Sequence, residues 1–384
     1  METMIPRLFS PPKGSFFLFG PRGTGKTTWL KHHIPHAIFI NLLESDTFRL
    51  FSARPERLRE VILPNSNLKS VVIDEVQKVP QLLPEVHNLI EKKTGIQFIL
   101  TGSSSRKLKR SGIDLLAGRA QRCELHPFMA YELGQQFSLD KALNTGLIPL
   151  VTTSEESVNV LKSYASLYVR EEVQMEGLVR NIGNFSRFLE SISFSHGNLL
   201  SVSNVARECE IERKTVEGYI EILKDLLLAY TIPIFSKRAK RKVAVHPKFY
   251  YFDAGLFQSL RPRGALDRPE EIEGAALEGL VAQHLMAWNA YRGQKNRLYF
   301  WRTSSGTEVD FILYGEELFW ALEVKRSGKV RPEDLQSLKI FRTDYPKSKL
   351  YFLYCGKEQL LIDGIHCIPI QDFLKNLHPK SLNI

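Results

Sequence analysis

A glycine-rich segment near the N-terminus has the residue types and the spacing that phosphate binding requires. Residues 20–27 have the sequence Gly-Pro-Arg-Gly-Thr-Gly-Lys-Thr and match the pattern G-x-x-x-x-G-K-[S/T] at every fixed position. The glycines let the backbone turn tightly, so that successive N–H groups can point at phosphate oxygens. The helix that follows directs its positive end at the same anion. Lys26 is expected to reach the β- and γ-phosphates of ATP, and the Thr27 hydroxyl is expected to bind Mg²⁺. The predicted cofactors are ATP and Mg²⁺, and the predicted cofactor-binding residues of this loop are Gly20, Pro21, Arg22, Gly23, Thr24, Gly25, Lys26, Thr27 and Thr28.

An apolar segment that ends in two acids supplies a second group of candidates. Val71–Ile73 is a continuous apolar run of the kind that parallel sheets bury, and Asp74 and Glu75 follow it directly. Open α/β sheets place their ligands at the carboxyl ends of the strands. We therefore expect Asp74 to hold Mg²⁺ through its water shell and Glu75 to act as the general base that polarises the attacking water.

A further apolar segment, Ile96–Ser104, ends in small polar residues. In a nucleotide-hydrolysing sheet, its strand would lie between the strand of the phosphate loop and the acidic strand. Ser103 would then contact the γ-phosphate or the water, whereas a simple turn after the strand is an equally good interpretation.

The last third of the chain carries acids and a lysine on predicted elements of a different kind. Glu278 lies in a predicted helix (275–290), Asp310 lies in the strand-like run Val-Asp-Phe-Ile-Leu, and Glu323 and Lys325 lie in Ala-Leu-Glu-Val-Lys. Because alternate residues of a strand point to one face, Glu323 and Lys325 are expected to share a face.

This pattern resembles the restriction-endonuclease-like superfamily, in which an Asp and a Glu-x-Lys pair lie on adjacent strands. The resemblance implies that Asp310 and Glu323 bind one divalent metal and that Glu278 completes the site. It also implies that Lys325 activates water or stabilises the phosphorane charge, and that Gln336 orients the group. Two alternatives stay open, namely an accidental pattern and a related fold that has lost its activity.

The middle of the chain predicts a winged helix. Ser203 is a predicted N-cap of a short helix, and Lys214–Leu228 is predicted to form a longer helix. The turn between the two helices has the length of a helix-turn-helix. Residues 232–252 alternate like a hairpin, with the basic run Lys237–Lys242 at its tip. These features predict DNA binding through phosphates, with Arg213, Lys214 and Glu217 near the groove. A winged helix used only for packing or subunit contacts is the alternative, and nothing indicates sequence-specific readout.

Composition limits the number of domains, the class of protein and its possible partners. The 384 residues allow two or three domains, and 43% hydrophobic with 24% charged residues is ordinary for a globular protein. The N-terminus lacks the features of a secretion signal, no apolar run reaches the length of a membrane helix, and the four cysteines form no metal-binding spacing. We therefore expect a cytoplasmic protein that does not enter a membrane. The formal net charge of +10 favours a polyanionic partner.

Several motifs in order resemble a group of prokaryotic AAA-type ATPases with an uncharacterised C-terminal domain. They are the phosphate loop and the runs VVIDEVQKVPQLL, FILTGSSS, LLAGRA and LHPFMAYEL. The resemblance covers nearly the whole chain and implies that the acidic strand is not adjacent to the strand of the phosphate loop. It also implies that Arg119 could act as an arginine finger, in cis or from a neighbouring subunit. Arg119 also lies in a basic stretch, where a solvated or DNA-facing role is at least as good an interpretation.

We therefore predict an α/β protein with a P-loop ATPase domain (residues 1–149), a helical and winged-helix domain (150–260) and a restriction-endonuclease-like domain (261–384). The leading hypothesis is a DNA-associated ATPase whose nucleotide state controls a metal-dependent nuclease. DNA would be recognised non-specifically or by its structure, and a homo-oligomer is considered. The alternative is a nucleotide-driven switch or assembly ATPase whose nuclease-like domain is catalytically silent.

Overall fold

The structure is a computed structural model that describes residues 4–65, 67–103, 116–168, 173, 181–236 and 246–382. Its chain forms two units. The first contains Phe9–His126 and Asp225–Leu227, and the second contains Pro127–Lys224 and Leu228–Ile384 with the N-terminal residues up to Leu8. The predicted domain boundaries stay predictions. The basic runs 106–110 and 237–242 lie outside the described residues.

A parallel sheet of five strands forms the centre of the first unit. Its strands are β1 (Phe16–Phe19), β2 (Ile38–Asn41), β3 (Ser70–Asp74), β4 (Gln97–Gly102) and β5 (Gln121–Glu124). They lie in the order β2-β3-β4-β1-β5, so β4 separates the strand of the phosphate loop from the acidic strand, as predicted. The inner strands are apolar and buried, which is typical of a parallel sheet with helices on its faces.

Helices follow the strands of this sheet and complete an apolar core. The described helices are α1 (Lys26–His33), α2 (Ser45–Ala53), α3 (Arg57–Ile62) and α4 (Leu82–Glu91). Helix α4 buries Leu82, Leu83, Val86 and Leu89, a spacing of three and four residues that gives it one apolar face. The fold thus brings the loop after β1 and the acids after β3 to the same, carboxyl edge of the sheet.

Short helices and a small antiparallel sheet begin the second unit. The described helices are α5 (Ala130–Leu133), α6 (Leu139–Thr145), α7 (Pro149–Thr152), α8 (Ser157–Ser163), α9 (Ile182–Ser193), α10 (Val202–Cys209), α11 (Arg213–Asp225) and α12 (Ala254–Leu260). The strands are β6 (Asn198–Leu199), β7 (Ala229–Ile232) and β8 (Lys248–Tyr251), with β8 in the middle. The helices and hairpin strands occur in the order that we predicted for a winged helix, while that assignment stays a prediction.

Two details of this segment differ from the prediction. Ser201, rather than Ser203, caps α10, because its hydroxyl accepts a hydrogen bond from the backbone N–H of Asn204 at 3.4 Å. Helix α11 ends at Asp225 instead of Leu228. Leu227 has a φ of 58°, a left-handed conformation that is incompatible with a right-handed helix. Local caps and a left-handed residue thus set these bounds, and apolar spacing alone does not reveal either.

A mixed sheet of six strands and a long helix complete the second unit. The strands are β9 (Asn296–Arg302), β10 (Glu308–Gly315), β11 (Phe319–Lys325), β12 (Lys349–Tyr354), β13 (Leu360–Ile362) and β14 (Ile365–Pro369). The helices are α13 (Pro269–Tyr291), α14 (Gln336–Asp344) and α15 (Ile370–Asn376). The pairing of β10 with β9 shifts between Val309 and Ile312, so Asp310 lies at an irregularity of the sheet. Such irregularities re-aim side chains and are common beside functional sites.

No described helix combines the length and the apolar character that crossing a membrane demands.

Candidate functional site

The phosphate loop joins β1 to α1 with a backbone that only glycine accommodates easily. Gly23 and Gly25 have φ values of 79° and 85°, in the left-handed region. Gly20 is needed for another reason, since a Cβ there would collide with the carbonyl oxygen of Leu125. Lys26 opens the helix, is 6% exposed, and donates hydrogen bonds to the carbonyl oxygens of Gly20 at 2.6 Å and Pro21 at 3.2 Å. The lysine ammonium is thus held against the loop.

The remaining loop residues differ in exposure. The Thr24 hydroxyl is buried and donates to the carbonyl oxygen of Pro21 at 2.7 Å, which stabilises the turn. Arg22 and Thr28 are exposed. Thr24 therefore shapes the loop, and Arg22 and Thr28 are the loop side chains that face solvent.

Asp74 connects the acidic strand to the loop. Its Oδ2 accepts a hydrogen bond from the Thr27 hydroxyl at 2.8 Å, and its Oδ1 accepts one from the Thr101 hydroxyl. Asp74 is 2% exposed and Thr101 is fully buried. The carboxylate at the end of β3 is thus held by hydroxyls from α1 and β4. Thr101 was not predicted as a site residue; its only signal in the sequence is that it is a lone polar residue near the end of an apolar strand.

Glu75 has an unusual backbone and a defined side-chain position. Its φ of 60° places a non-glycine residue in the left-handed region, as is found at functional sites. Its N–H donates to the Thr101 hydroxyl at 3.1 Å, and its Oε2 accepts from Gln77 Nε2 at 2.5 Å. Gln77 also donates to the Ser103 hydroxyl at 3.3 Å. Gln77, which sequence analysis missed, thus connects the predicted base to Ser103.

Arg119 lies at the amino-terminal end of the strands of the same sheet, and the phosphate loop lies at their carboxyl end. It precedes β5, whose first residue, Gln121, is paired in parallel with Phe16, the first residue of β1. The phosphate loop follows the other end of β1, a four-residue strand that spans about 13 Å at 3.3 Å per residue. Arg119 instead forms an ion pair with Glu91 at the end of α4. This geometry argues against a role of Arg119 in cis; a role in trans stays a prediction.

The second unit brings two of the predicted site residues, Glu278 and Asp310, together around a lysine that was not predicted, and Glu308, also not predicted, lies beside them. Lys248, the first residue of β8, is 1% exposed. Its Nζ lies 2.8 Å from Glu278 Oε1, 2.5 Å from Glu308 Oε1 and 3.4 Å from Asp310 Oδ1. The buried Tyr250 hydroxyl also donates to Glu278 Oε1, at 2.5 Å. We call Lys248, Glu278, Glu308 and Asp310 the Lys248 cluster.

Glu323 and Lys325 form a separate pair on β11. Lys325 Nζ lies 2.9 Å from Glu323 Oε1, so the two side chains share a face as expected. Glu323 is 5% exposed, and its Oε2 has no hydrogen-bond partner among the described residues. The N–H of Val324, between them, donates to Asp310 Oδ2 at 2.9 Å and joins β11 to the Lys248 cluster. Gln336 begins α14 and is exposed.

Burial shapes the electrostatics of this region. It raises the pKa of Glu278 to about 7 and, together with the charge of Asp310, raises the pKa of Glu323 to about 8. Burial alone would lower the pKa of Lys248, but the acids around it, Glu278 first, raise that pKa well above its ordinary value. The pKa of Lys325 is likewise raised by Glu323 and Asp310. Both lysines therefore remain cations at neutral pH.

The two predicted metal sites differ in how well their residues fit a divalent ion. Thr27 and Asp74 offer two oxygen ligands 2.8 Å apart at the edge of the phosphate loop, which suits Mg²⁺ shared with nucleotide phosphates. In the second unit, an ammonium already contacts Glu278 and Asp310. Within the described ranges, no three His, Cys, Asp or Glu side chains are grouped so as to hold a metal ion. The residues at the second site therefore do not fit a divalent metal as arranged.

Three family models match successive parts of the chain. Residues 13–134 match one described as an AAA domain. Residues 136–267 and 273–373 match two described as domains of unknown function, DUF8612 and DUF4143. The AAA match and the geometry of the loop together support a nucleotide-binding P-loop ATPase domain of the AAA type in the first unit. The two other matches leave the winged-helix and restriction-endonuclease-like assignments as predictions.

Two uncharacterized proteins resemble most of this chain. An uncharacterized protein of Mycobacterium tuberculosis is 28% identical over 369 residues, which span 93% of this chain and 80% of the relative. An uncharacterized protein of Methanocaldococcus jannaschii is 24% identical over 331 residues, 78% of this chain and 72% of the relative. Among solved structures, AMPPCP-bound DnaA from Aquifex aeolicus has a TM-score of 0.29 at 14% identity, covering 55% of this chain and 81% of DnaA. The replication initiator DnaA bound to AMPPCP and single-stranded DNA gives 0.27 at 15% identity, covering 55% and 82%. Such TM-scores do not establish a shared fold.

Proposed function

We propose that this chain hydrolyses ATP with Mg²⁺ in its first unit. The observation that carries the proposal is the hydrogen-bond network in which Asp74 accepts from both Thr27 and Thr101 at the edge of the phosphate loop. In that network the Thr27 hydroxyl and the Asp74 carboxylate, both expected to hold Mg²⁺, are hydrogen-bonded to each other, and the proposed base Glu75 directly follows Asp74. A bare phosphate-binding turn would need neither acid.

Each residue has a separate task in this proposal. The loop N–H groups and Lys26 bind and orient the β- and γ-phosphates, and Thr27 with Asp74 holds the metal side of the nucleotide. Bound Mg²⁺ would neutralise charge on the phosphates. Glu75, held by Gln77, takes a proton from the attacking water, while Ser103 lies close enough to Gln77 to help orient that water. If Arg119 contributes, it does so from a neighbouring subunit, which makes a homo-oligomer part of the proposal.

Replacing the phosphate-binding lysine tests the proposal directly. We expect Lys26→Ala to lose ATP turnover, because phosphate orientation and charge stabilisation at transfer both depend on its ammonium. Phosphate release measured at saturating ATP and Mg²⁺ is the readout. Lys31→Ala, an exposed lysine on the same helix, is the matched control and should retain turnover. Normal turnover in the Lys26 variant would refute the assignment.

DNA is the partner that the charge favours. The formal net charge is +10, and helix α11 begins with Arg213 and Lys214 at an exposed position, where Arg213 pairs with Glu217 at 3.0 Å. Such surface pairs are weak and can exchange for phosphate contacts. A cytoplasmic location is part of the same proposal, because all four cysteines are free.

Salt dependence measures the phosphate contacts. If the chain binds DNA through them, the logarithm of the affinity should fall linearly with the logarithm of salt concentration, by about 0.9 per contact for duplex DNA. Fluorescence anisotropy with duplex and single-stranded probes at several salt concentrations is the measurement. A flat response would argue against this mode of binding, and equal slopes on RNA would widen the class of partner.

Two candidates describe the second unit. A metal-dependent nuclease controlled by nucleotide state requires cleavage that Asp310→Ala abolishes. A silent nuclease-like domain within a nucleotide-driven switch requires neither cleavage nor dependence on Asp310. The position of Lys248 against Glu278, Glu308 and Asp310 favours the second candidate.

A further inference from the structure

The ammonium of Lys248 connects parts of the second unit that are distant in sequence. Lys248 begins β8 of the small sheet, Glu278 lies in the middle of α13, and Glu308 and Asp310 lie on β10. Three carboxylate oxygens lie within 3.4 Å of its Nζ, and the ammonium donates hydrogen bonds to those of Glu278 and Asp310. With 1% exposure, the residue is enclosed by its partners.

We propose that Lys248 is an internal counter-ion that takes the place of a divalent metal at the carboxylates of the second unit. This deepens the silent-domain candidate and is independent of ATP hydrolysis in the first unit. The domain then keeps the acids of a nuclease-like site but uses them to bind a cation of its own chain.

The pairing of the acids supports this assignment. Glu308 is shared between Lys248 and Arg302, whose guanidinium lies 3.0 Å from Glu308 Oε2. Glu323, the other predicted metal ligand, is paired through Oε1 with Lys325. Each acid that could bind a metal here thus has a cationic partner within the chain.

Charge and distance explain why a metal would not share the site. A divalent ion needs oxygen ligands at about 2.0–2.6 Å, and it would lie within a few ångströms of the Lys248 ammonium. Repulsion between the two cations at that separation opposes the attraction of the carboxylates and lowers the affinity for the metal ion. Glu323 Oε2 is buried and has no hydrogen bond among the described residues, so it is an oxygen that could bind a metal ion and that Lys248 does not contact. Removing the lysine should therefore create a metal site rather than an empty cavity.

Manganese binding tests the proposal. Nucleotide-free full-length protein is titrated with Mn²⁺, and free Mn²⁺ is followed by electron paramagnetic resonance. We expect the carboxylates of Lys248→Gln to bind one Mn²⁺ per chain with an affinity at least about tenfold higher than in the unmodified protein, because one like charge is removed from the site. Adding Asp310→Asn should abolish the gain. Lys357→Gln, which changes an exposed lysine on the same unit, should titrate like the unmodified protein.

Two outcomes would overturn the proposal. One is a folded Lys248→Gln protein, judged by circular dichroism, that gains no Mn²⁺ site. The other needs no Lys248 variant: if the unmodified protein already binds Mn²⁺ and Asp310→Asn removes that binding, the lysine does not exclude metal. We expect the unmodified protein and its Asp310→Asn variant to titrate alike, and this comparison decides the matter if Lys248→Gln fails to fold. ATP turnover, lost or kept, bears only on the first unit.

Discussion

Glu75→Gln is expected to lower kcat for ATP hydrolysis by about 10²–10⁴-fold while nucleotide binding is retained. The amide has nearly the same size as the carboxylate, so the bond from Gln77 and the backbone contact with Thr101 can persist. What disappears is the ability to accept a proton from water. The loss should therefore fall on kcat and not on the affinity for ATP.

Two measurements separate these effects. Steady-state phosphate release gives kcat, and fluorescence of a labelled nucleotide gives affinity in the absence of turnover. Glu60→Gln, on an exposed part of α3, is the matched control and should leave both quantities unchanged. If kcat of the Glu75 variant stays within about threefold of normal, far less than the contribution of a general base, Glu75 is not the base.

Lys248→Met is expected to lower the free energy of unfolding of the second unit by about 3–5 kcal/mol. The substitution leaves Glu278, Glu308 and Asp310 without the cation that they share, and removing one partner of a buried ion pair strands the other charges. Methionine fills a similar volume, so the loss reports charge and hydrogen bonding more than a cavity.

Urea denaturation followed by tryptophan fluorescence measures this loss, because Trp288, Trp301 and Trp320 are all buried in the second unit. Lys357→Met is the control at an exposed position. Adding Glu278→Gln to the Lys248 variant should recover part of the stability, since it removes one of the stranded charges. A loss below about 1 kcal/mol, the size of a surface salt bridge, would contradict the role assigned to Lys248.

Features that depend on local sequence were the most predictable. The phosphate loop is fixed by a contiguous pattern, and the acidic strand is marked by an apolar run that ends in Asp74 and Glu75. The strand order followed from the resemblance and was confirmed. Thr101 and Gln77 were missed because a single polar residue on or after a strand has no pattern of its own; only pairing of the strands brings them to the acids.

Contacts between residues that are distant in the chain could not be predicted from the sequence. Lys248 is 30 residues from Glu278 and 62 from Asp310, and it follows a run of basic residues in which one lysine does not stand out. Its role depends on burial and on the convergence of three elements. For Arg119, the family resemblance implied a possible arginine finger in cis or from a neighbouring subunit, and the direction of β5 places the residue at the end of the strands away from its own phosphate loop. Strand direction is a property of the whole sheet, which a short motif does not encode.

The Lys248 cluster also limits how this chain can be divided. A cut between residues 260 and 261 would leave the lysine on one fragment and its acids on the other. Each fragment would then expose the charges that the pairing neutralises, and neither would carry a complete core. A fragment that begins near Pro127 and runs to the end keeps the pairing of Lys248 intact, but it omits the residues up to Leu8 that belong to the same unit and with them Arg7, the buried partner of Glu132.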